Sequence, residues 1–159
     1  MDIKQATTQK EKRELDRLLW TVLWEPLNLP RNIRNSFKLG GPEIDLIAID
    51  NKIIVGALVA NWLSEKEIEI RHLAVKPGNQ ENSVGSLLVG ELFRLIREKT
   101  PLQIHAYARN TSLGFFTKLG FKPRGNRINQ PNFMQQGLWL QEMYTEMAEN
   151  DPRFISPNR

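Results

Sequence analysis

Between Glu11 and Trp24 the apolar residues Leu15, Leu18, Leu19, Val22 and Leu23 recur at three- and four-residue steps, with Lys12, Arg13, Asp16 and Arg17 on the other side. That is one face of an amphipathic helix. Pro26 and Pro30 end it. The stretch Glu25–Pro42, with three prolines and the pair Gly40-Gly41, reads as a long connection of the kind that more often carries function than idles. Two apolar β-type runs follow, Ile44–Ile49 and Ile53–Trp62, separated by Asp50-Asn51-Lys52, and they read as a hairpin. Gly56 inside the second run marks a bulge or a close backbone approach.

The run Glu67–Val75 carries the most telling pattern. Ile68 and Ile70 keep a two-residue period, but the next apolar residues are Leu73 and Val75, so the phase slips between positions 70 and 73. A β-bulge absorbs such a slip, bending the strand and turning a backbone N–H out of the ladder. A strand buried on both faces near its end would give the same letters. Pro77-Gly78-Asn79 breaks the chain, and Ser83–Arg97 reads as a second helix with Val84, Leu87, Leu88, Leu92, Leu95 and Ile96 as its stripe. A strand over Leu102–Ala108 follows. Asn110 is expected to cap a helix running to Leu119 and stopped by Gly120. Strands near Phe121–Arg127 and Leu138–Met143 complete the order α-β-β-β-α-β-α-β-β. The expectation is one α+β domain over residues 1–148, built on a mixed sheet, with a tail over 149–159.

Composition removes whole classes of chemistry. The 159 residues include no cysteine, which excludes disulfides, thiolate metal sites and a cysteine nucleophile. His72 and His105 lack metal-ligand spacing, so no metal is expected. The apolar runs are far shorter than the ~20 residues that cross a bilayer, and the first residues hold no signal-like stretch. A soluble, cytoplasmic protein without a membrane partner is therefore expected. Net charge is +4, unevenly spread, with Lys118, Lys122, Arg124 and Arg127 in one acid-free segment. A basic nucleic-acid-binding domain is one reading of that excess. It lacks a recognised motif and aromatics interleaved with the basic residues, so nucleic acid is not the expected partner.

The junction Val75-Lys76-Pro77-Gly78-Asn79-Gln80-Glu81-Asn82-Ser83-Val84-Gly85-Ser86 runs from a strand through a polar turn into a helix that starts with small residues. Unpaired N–H groups and the positive end of the helix dipole make this a ready anion site. Gly85, without a Cβ, lets a phosphate approach the backbone. Plain helix capping by small residues would look the same. Strand, turn and helix resemble the acyl-CoA-binding motif of the GNAT superfamily of N-acyltransferases, V-x-P-x-x-[Q/R]-x-x-G-x-[G/A], matched by Val75, Pro77, Gln80, Ser83 and Gly85. A second motif, N-x-x-A-x-x-F-Y-x-x-x-G-F, is matched by Asn110, Phe115, Gly120 and Phe121. Val55-Gly56 and the element order also fit, and Phe133-x-x-x-Gly137 followed by Met143 is similar to the ElaA-like branch. The resemblance covers about residues 9–147.

The resemblance implies a mixed, mostly antiparallel GNAT-like sheet flanked by helices, with acetyl-CoA as co-substrate. Backbone N–H groups of Gln80, Glu81, Asn82, Ser83, Val84, Gly85 and Ser86 would cradle its pyrophosphate. The bulged strand end Leu73, Ala74 and Val75 would bind the pantetheine arm and aim an N–H at the thioester carbonyl, an oxyanion contact typically worth ~3–4 kcal/mol. Asn110 and Phe116 would line the cofactor arm, and Lys118, Lys122 and Arg124 are candidates for its terminal phosphate. Glu69 holds the strand position of a general base acting through water. Three departures stand out. Ser83 replaces the first motif glycine, Leu140 replaces an ElaA-like histidine, and Phe116 replaces the tyrosine that protonates the leaving thiolate. His105 and Tyr107 alternate on the strand beside the expected cleft, so Tyr107 is the substitute acid; a polar strand face is the plain alternative. His72 falls on the face opposite Glu69 unless the bulge rotates it. Trp20 and Trp24 read as core, and Trp139 as a candidate wall of the acceptor pocket. The expected activity is acetyl transfer to the primary amine of a small molecule or peptide by direct attack. A CoA-binding module without catalysis is the alternative. Homodimers are common in this family, but no sequence signature here bears on one.

Overall fold

The computed structural model describes residues 1–79, 83–100 and 102–153. Its elements are β1 (Asp2–Gln5), α1 (Gln9–Leu19), β2 (Glu43–Asp50), β3 (Ile53–Ser64), β4 (Glu67–Val75), α2 (Val84–Ile96), β5 (Leu102–Arg109), α3 (Leu113–Lys118), β6 (Lys122–Ile128), α4 (Pro131–Met134) and β7 (Leu140–Met147). The seven strands form one sheet in the order β1-β2-β3-β4-β5-β7-β6. All neighbours are antiparallel except β4 and β5. The mixed, mostly antiparallel α+β architecture expected from the sequence is the one observed, with β1 added at an edge.

Thr8 caps α1 through a capping box, its side chain accepting from the Glu11 N–H while Glu11 accepts from the Thr8 N–H. Beyond Leu19 the chain continues as a turn of π-helix over Trp20–Trp24, then two short 3-10 turns over Glu25–Leu27 and Ile33–Phe37. The long connection is thus structured. Arg31 and Arg34 pin it to Asp16 of α1, and Arg34 also reaches Glu43. No helix among the described residues is long and apolar enough to cross a membrane.

The sheet separates two apolar layers. α2 covers one face with Val84, Leu88, Val89, Leu92, Phe93 and Ile96, against Leu58, Ala60, Ile68, Ile70 and Ile104. α1 covers part of the other with Leu15 and Leu19, against Ile47, Ala57, Val59 and Ala74. In the β3–β4 ladder Val59 faces His72 and Ala60 faces Ile70, which leaves Arg71 without an opposite residue. This is the bulge that the phase slip implies. Ile70 stays with the α2 layer, while His72 turns to the side on which Trp24 and Phe37 pack.

Gly56 meets both of its expectations. The β2–β3 register shifts beside it, with Ala48 opposite Gly56 but Ile49 opposite Ile54. A Cβ built on Gly56 would also lie 2.6 Å from Val84 Cγ1 and 3.1 Å from Leu88 Cδ1. The start of α2 therefore sits directly on the β3 backbone. Gly56→Ala is expected to cost about 1–3 kcal/mol through overpacking. In a Val84→Ala background the cost should shrink markedly, which a urea-denaturation double-mutant cycle reads directly.

At the other end, residues beyond 148 pack back on the domain. Arg153 donates to Thr145 Oγ1 at 2.7 Å and to the Glu146 carbonyl at 2.7 Å, and Arg97 donates to the Asp151 carbonyl at 2.9 Å.

Candidate active site

The parallel pairing of β4 with β5 runs from Glu67–Gln103 to Ile70–Ala106 and then stops, although both strands continue. The bulge at Arg71 bends β4 away at that point. A cleft of about 390 Å³ opens in the fork. Ile70, Arg71, His72 and Leu73 form one wall, and Ala106, Tyr107, Ala108 and Arg109 form the other. Leu23, Trp24 and Phe37 close it from the connection after α1, Ser112 and Phe116 from the α3 region, and Ile128, Gln130, Phe133 and Leu140 from the β6–β7 segment.

α2 begins beside the end of β4. Gln80, Glu81 and Asn82 lie outside the described residues. Ser83 precedes the helix at φ 59°, ψ 25°, the left-handed conformation that a motif glycine would adopt without strain. Its carbonyl accepts the first helical bond from Leu87 N–H, and its side chain makes no capping bond. Ser83→Gly is expected to stabilise the fold by about 0.5–1 kcal/mol, read as a raised urea midpoint. Val84 is buried on Gly56, and Ser86 is partly exposed. Gly85 is buried as well. A Cβ there would sit 3.0 Å from Phe115 Cε1, so the packing of Phe115 is reason enough for a glycine, in addition to any need of a phosphate.

Leu73 reaches the cleft, while Ala74 is buried in the α1 layer and Val75 packs toward α2. Phe116 lines the cleft and stacks edge-on against Phe115 and Phe121, at 5.1 and 5.3 Å between ring centres. Asn110 does not cap a helix. It lies in a 3-10 turn over Asn110–Ser112, and its Oδ1 accepts from Trp139 N–H at 3.1 Å while its Nδ2 donates to the Gly137 carbonyl at 3.4 Å. Asn110 thus ties the end of β5 to the segment leading into β7. Arg124 is bound to Glu142 through Nη2 at 2.9 Å and stacks over Tyr144, and Trp139 lies under Arg127 rather than in the cleft wall.

Glu69 is buried, at 4% exposure. It stands between Asn61 on β3 and His105 on β5, and its Oε2 accepts from Arg71 Nη1 at 2.7 Å. Arg71, not Glu69, faces the cleft, and its other Nη donates to the Phe37 carbonyl. Tyr107 is 40% exposed at the cleft, edge-on to His105. Burial first, then the charges of Glu142 and Glu69, push the Tyr107 phenol above its ordinary range, so it holds its proton at neutral pH. His105 lies between Glu67 and Glu142, at 3.1 and 3.5 Å, without a well-aligned hydrogen bond to either.

The bulge brings His72 to the Glu69 side of the sheet, edge-on to Trp24 at 5.0 Å. Burial, then the positive charges of Arg34, Arg71 and Arg109, lower its pKa to about 3. It is a neutral, packed ring. Arg71 and Arg109 are the charged cleft residues to which the sequence assigned no role. Arg109 donates to the Leu23 carbonyl at 2.6 Å and covers the Phe133 ring at 5.1 Å. Arg71 carried one usable sign, since it is the residue that the phase slip extrudes.

A family model for the acetyltransferase (GNAT) domain matches residues 43–123, a span that holds β2 to α3 and the fork itself. The chain belongs to the GNAT acetyltransferase family. Solved structures of similar fold include Escherichia coli ElaA, with a TM-score of 0.76, 15% identity, and coverage of 92% of this chain and 100% of that one. The ribosomal-protein-S18-alanine N-acetyltransferase of Escherichia coli matches with a TM-score of 0.75 at 13% identity, over 92% and 94% of the two chains. An aminoglycoside 6'-N-acetyltransferase complexed with coenzyme A matches with 0.73 at 17%, over 92% and 97%.

Proposed function

We propose that this protein transfers the acetyl group of acetyl-CoA to a primary amine by direct attack. The observation that carries the reading is the parting of β4 and β5 at the Arg71 bulge, beside the start of α2. A fork of this kind leaves strand-edge N–H and C=O groups unpaired, the pairing partners an amide-bearing arm needs. In the reaction the amine nitrogen forms a C–N bond to the acetyl carbonyl carbon, and the C–S bond breaks. The ammonium form of the acceptor gives up two protons in all, one of which ends on the thiol of CoA and one in solvent.

The two proton transfers weigh unequally. A thiol of pKa ~8.5 leaving as thiolate at pH 7 forfeits about 2 kcal/mol, whereas deprotonating an amine of pKa ~10.4 costs about 4.6 kcal/mol. A base therefore matters more than an acid. Glu69, bound to the cleft residue Arg71, is the candidate base, acting through water because Arg71 stands between it and the cleft. Tyr107, which keeps its proton, takes the part of the thiolate's acid in place of the tyrosine that Phe116 displaces.

Calorimetric titration with acetyl-CoA and with CoA tests the reading. Ser112→Trp is the matched variant, because a large ring there fills the cleft from a partly exposed turn. Wild type should bind both ligands, and the variant should bind at least ~10-fold more weakly, or about 1.4 kcal/mol. No binding by wild type would end the proposal. Binding without transfer to any amine would favour a CoA-binding module, the reading that Phe116 supports.

A further inference from the structure

The cleft walls carry an unbalanced charge. Arg71 and Arg109 both line the cleft, and no Asp or Glu among the described residues does. The two arginines are not equivalent. Arg71 is neutralised by Glu69 at 2.7 Å. Arg109 is half-buried, its partners are the Leu23 carbonyl and the Phe133 ring, and among the described residues no carboxylate pairs with it. Nor is it balanced from across the cleft, since the ring facing it there, His72, is neutral and feels the charges of Arg34, Arg71 and Arg109 together. A guanidinium taken out of water without an anion is costly, and its planar fork matches a carboxylate.

Around this charge the remaining walls are apolar. Trp24 and Phe37 stack at 5.6 Å between ring centres, and Phe133, Ile128 and Leu140 lie toward the Arg109 side. We propose that the acceptor is a small α-amino acid with an apolar side chain, its carboxylate held by Arg109 and its amine turned toward the fork between β4 and β5. This rests on the acetyl-transfer reading and narrows it. A polyamine or an aminoglycoside would bring further positive charge to a cleft that already carries an unpaired cation. The N-terminus of a peptide would lack the carboxylate, because that carbonyl is an amide.

The test compares L-phenylalanine, L-phenylalaninamide, phenethylamine and spermidine by calorimetry on the full chain, with and without CoA. Wild type is expected to bind the acid at least tenfold more tightly than the amide or the amine, and spermidine more weakly still. Arg109→Gln should remove the preference for acid over amide while acetyl-CoA still binds. A variant that is merely misfolded would lose both, and in that case the wild-type comparison alone decides. Equal binding of acid and amide would point to a peptide amine, tighter binding of spermidine to a polycation, and either overturns the inference, as does failure of the acid to bind. Loss of the acyl-transfer reading has separate signatures, because acetyl-CoA itself would then fail to bind, or would bind without transfer to any amine.

Discussion

Replacing Glu69 by glutamine is expected to lower kcat/KM for amine acetylation by about 10²–10³-fold at pH 7, within the range of lost general-base catalysis. The substitution keeps the size of a side chain that is 4% exposed and wedged between Asn61 and His105, so the fold should tolerate it. Acetyl-CoA affinity should not change, because Glu69 does not line the cleft. A loss of base differs from a loss of structure in its pH profile. The task of the base is to remove a proton from an ammonium, and that task disappears as the pH approaches the amine's own pKa, ~10.4 for a lysine-like acceptor. The defect should therefore shrink steadily from pH 7 to pH 10. If Glu69 served only to hold Arg71 against the Phe37 carbonyl, the defect would be the same at every pH, and the base assignment would fall.

That distinction matters because the sequence alone could place Glu69 but not Arg71. The bulge was legible as a one-residue slip between Ile70 and Leu73, since strand alternation is a local property. What the extruded residue does was not legible. Arg71 reaches the Phe37 carbonyl 34 positions away, and Arg109 reaches the Leu23 carbonyl 86 positions away. Contacts to backbone carbonyls leave no mark on the partner's side chain, so no pattern in the letters announces them. The first strand escaped for a different reason. Asp2–Gln5 has one apolar residue, Ile3, and pairs only along β2, so neither alternation nor length gave it away. Gly85 reads from the sequence as room for a phosphate at the backbone, yet Phe115 packs against it, whereas Gly56, expected at a bulge or a close approach, is met by Val84. Packing between α2, β3 and α3 thus accounts for part of a pattern that the sequence connects with either a bound phosphate or plain helix capping. Asn110 shows the reverse case, a residue whose side chain holds the Gly137–Trp139 segment although its position suggested a helix cap.

The stability of the protein should respond to pH through two groups that oppose each other. His72 has its pKa lowered to about 3, by burial first and then by Arg34, Arg71 and Arg109. The unfolded chain, with an ordinary histidine near 6.5, binds the proton more readily, so this group lowers stability as pH falls below about 6.5. Asp45 has its pKa raised to about 7, by burial first and then by Glu43. Its buried Oδ1 finds no hydrogen-bond partner. Here the folded state binds the proton more readily, so stability falls as pH rises from about 4 to 7. Each slope is at most about 1.4 kcal/mol per pH unit, and the two overlap between pH 4.5 and 6.5 with opposite sign. Wild type should therefore show little net change from this pair in that window. Removing one partner exposes the other. His72→Leu should lose about 2–3 kcal/mol between pH 4.5 and 6.5 relative to wild type, because only the Asp45 slope remains. Asp45→Asn should gain a similar amount over the same interval. Urea denaturation of the three proteins at four pH values reads both slopes. Parallel curves for wild type and His72→Leu would mean that the imidazole is not held neutral between Trp24 and the three arginines, and the electrostatic picture of the cleft would fail with it.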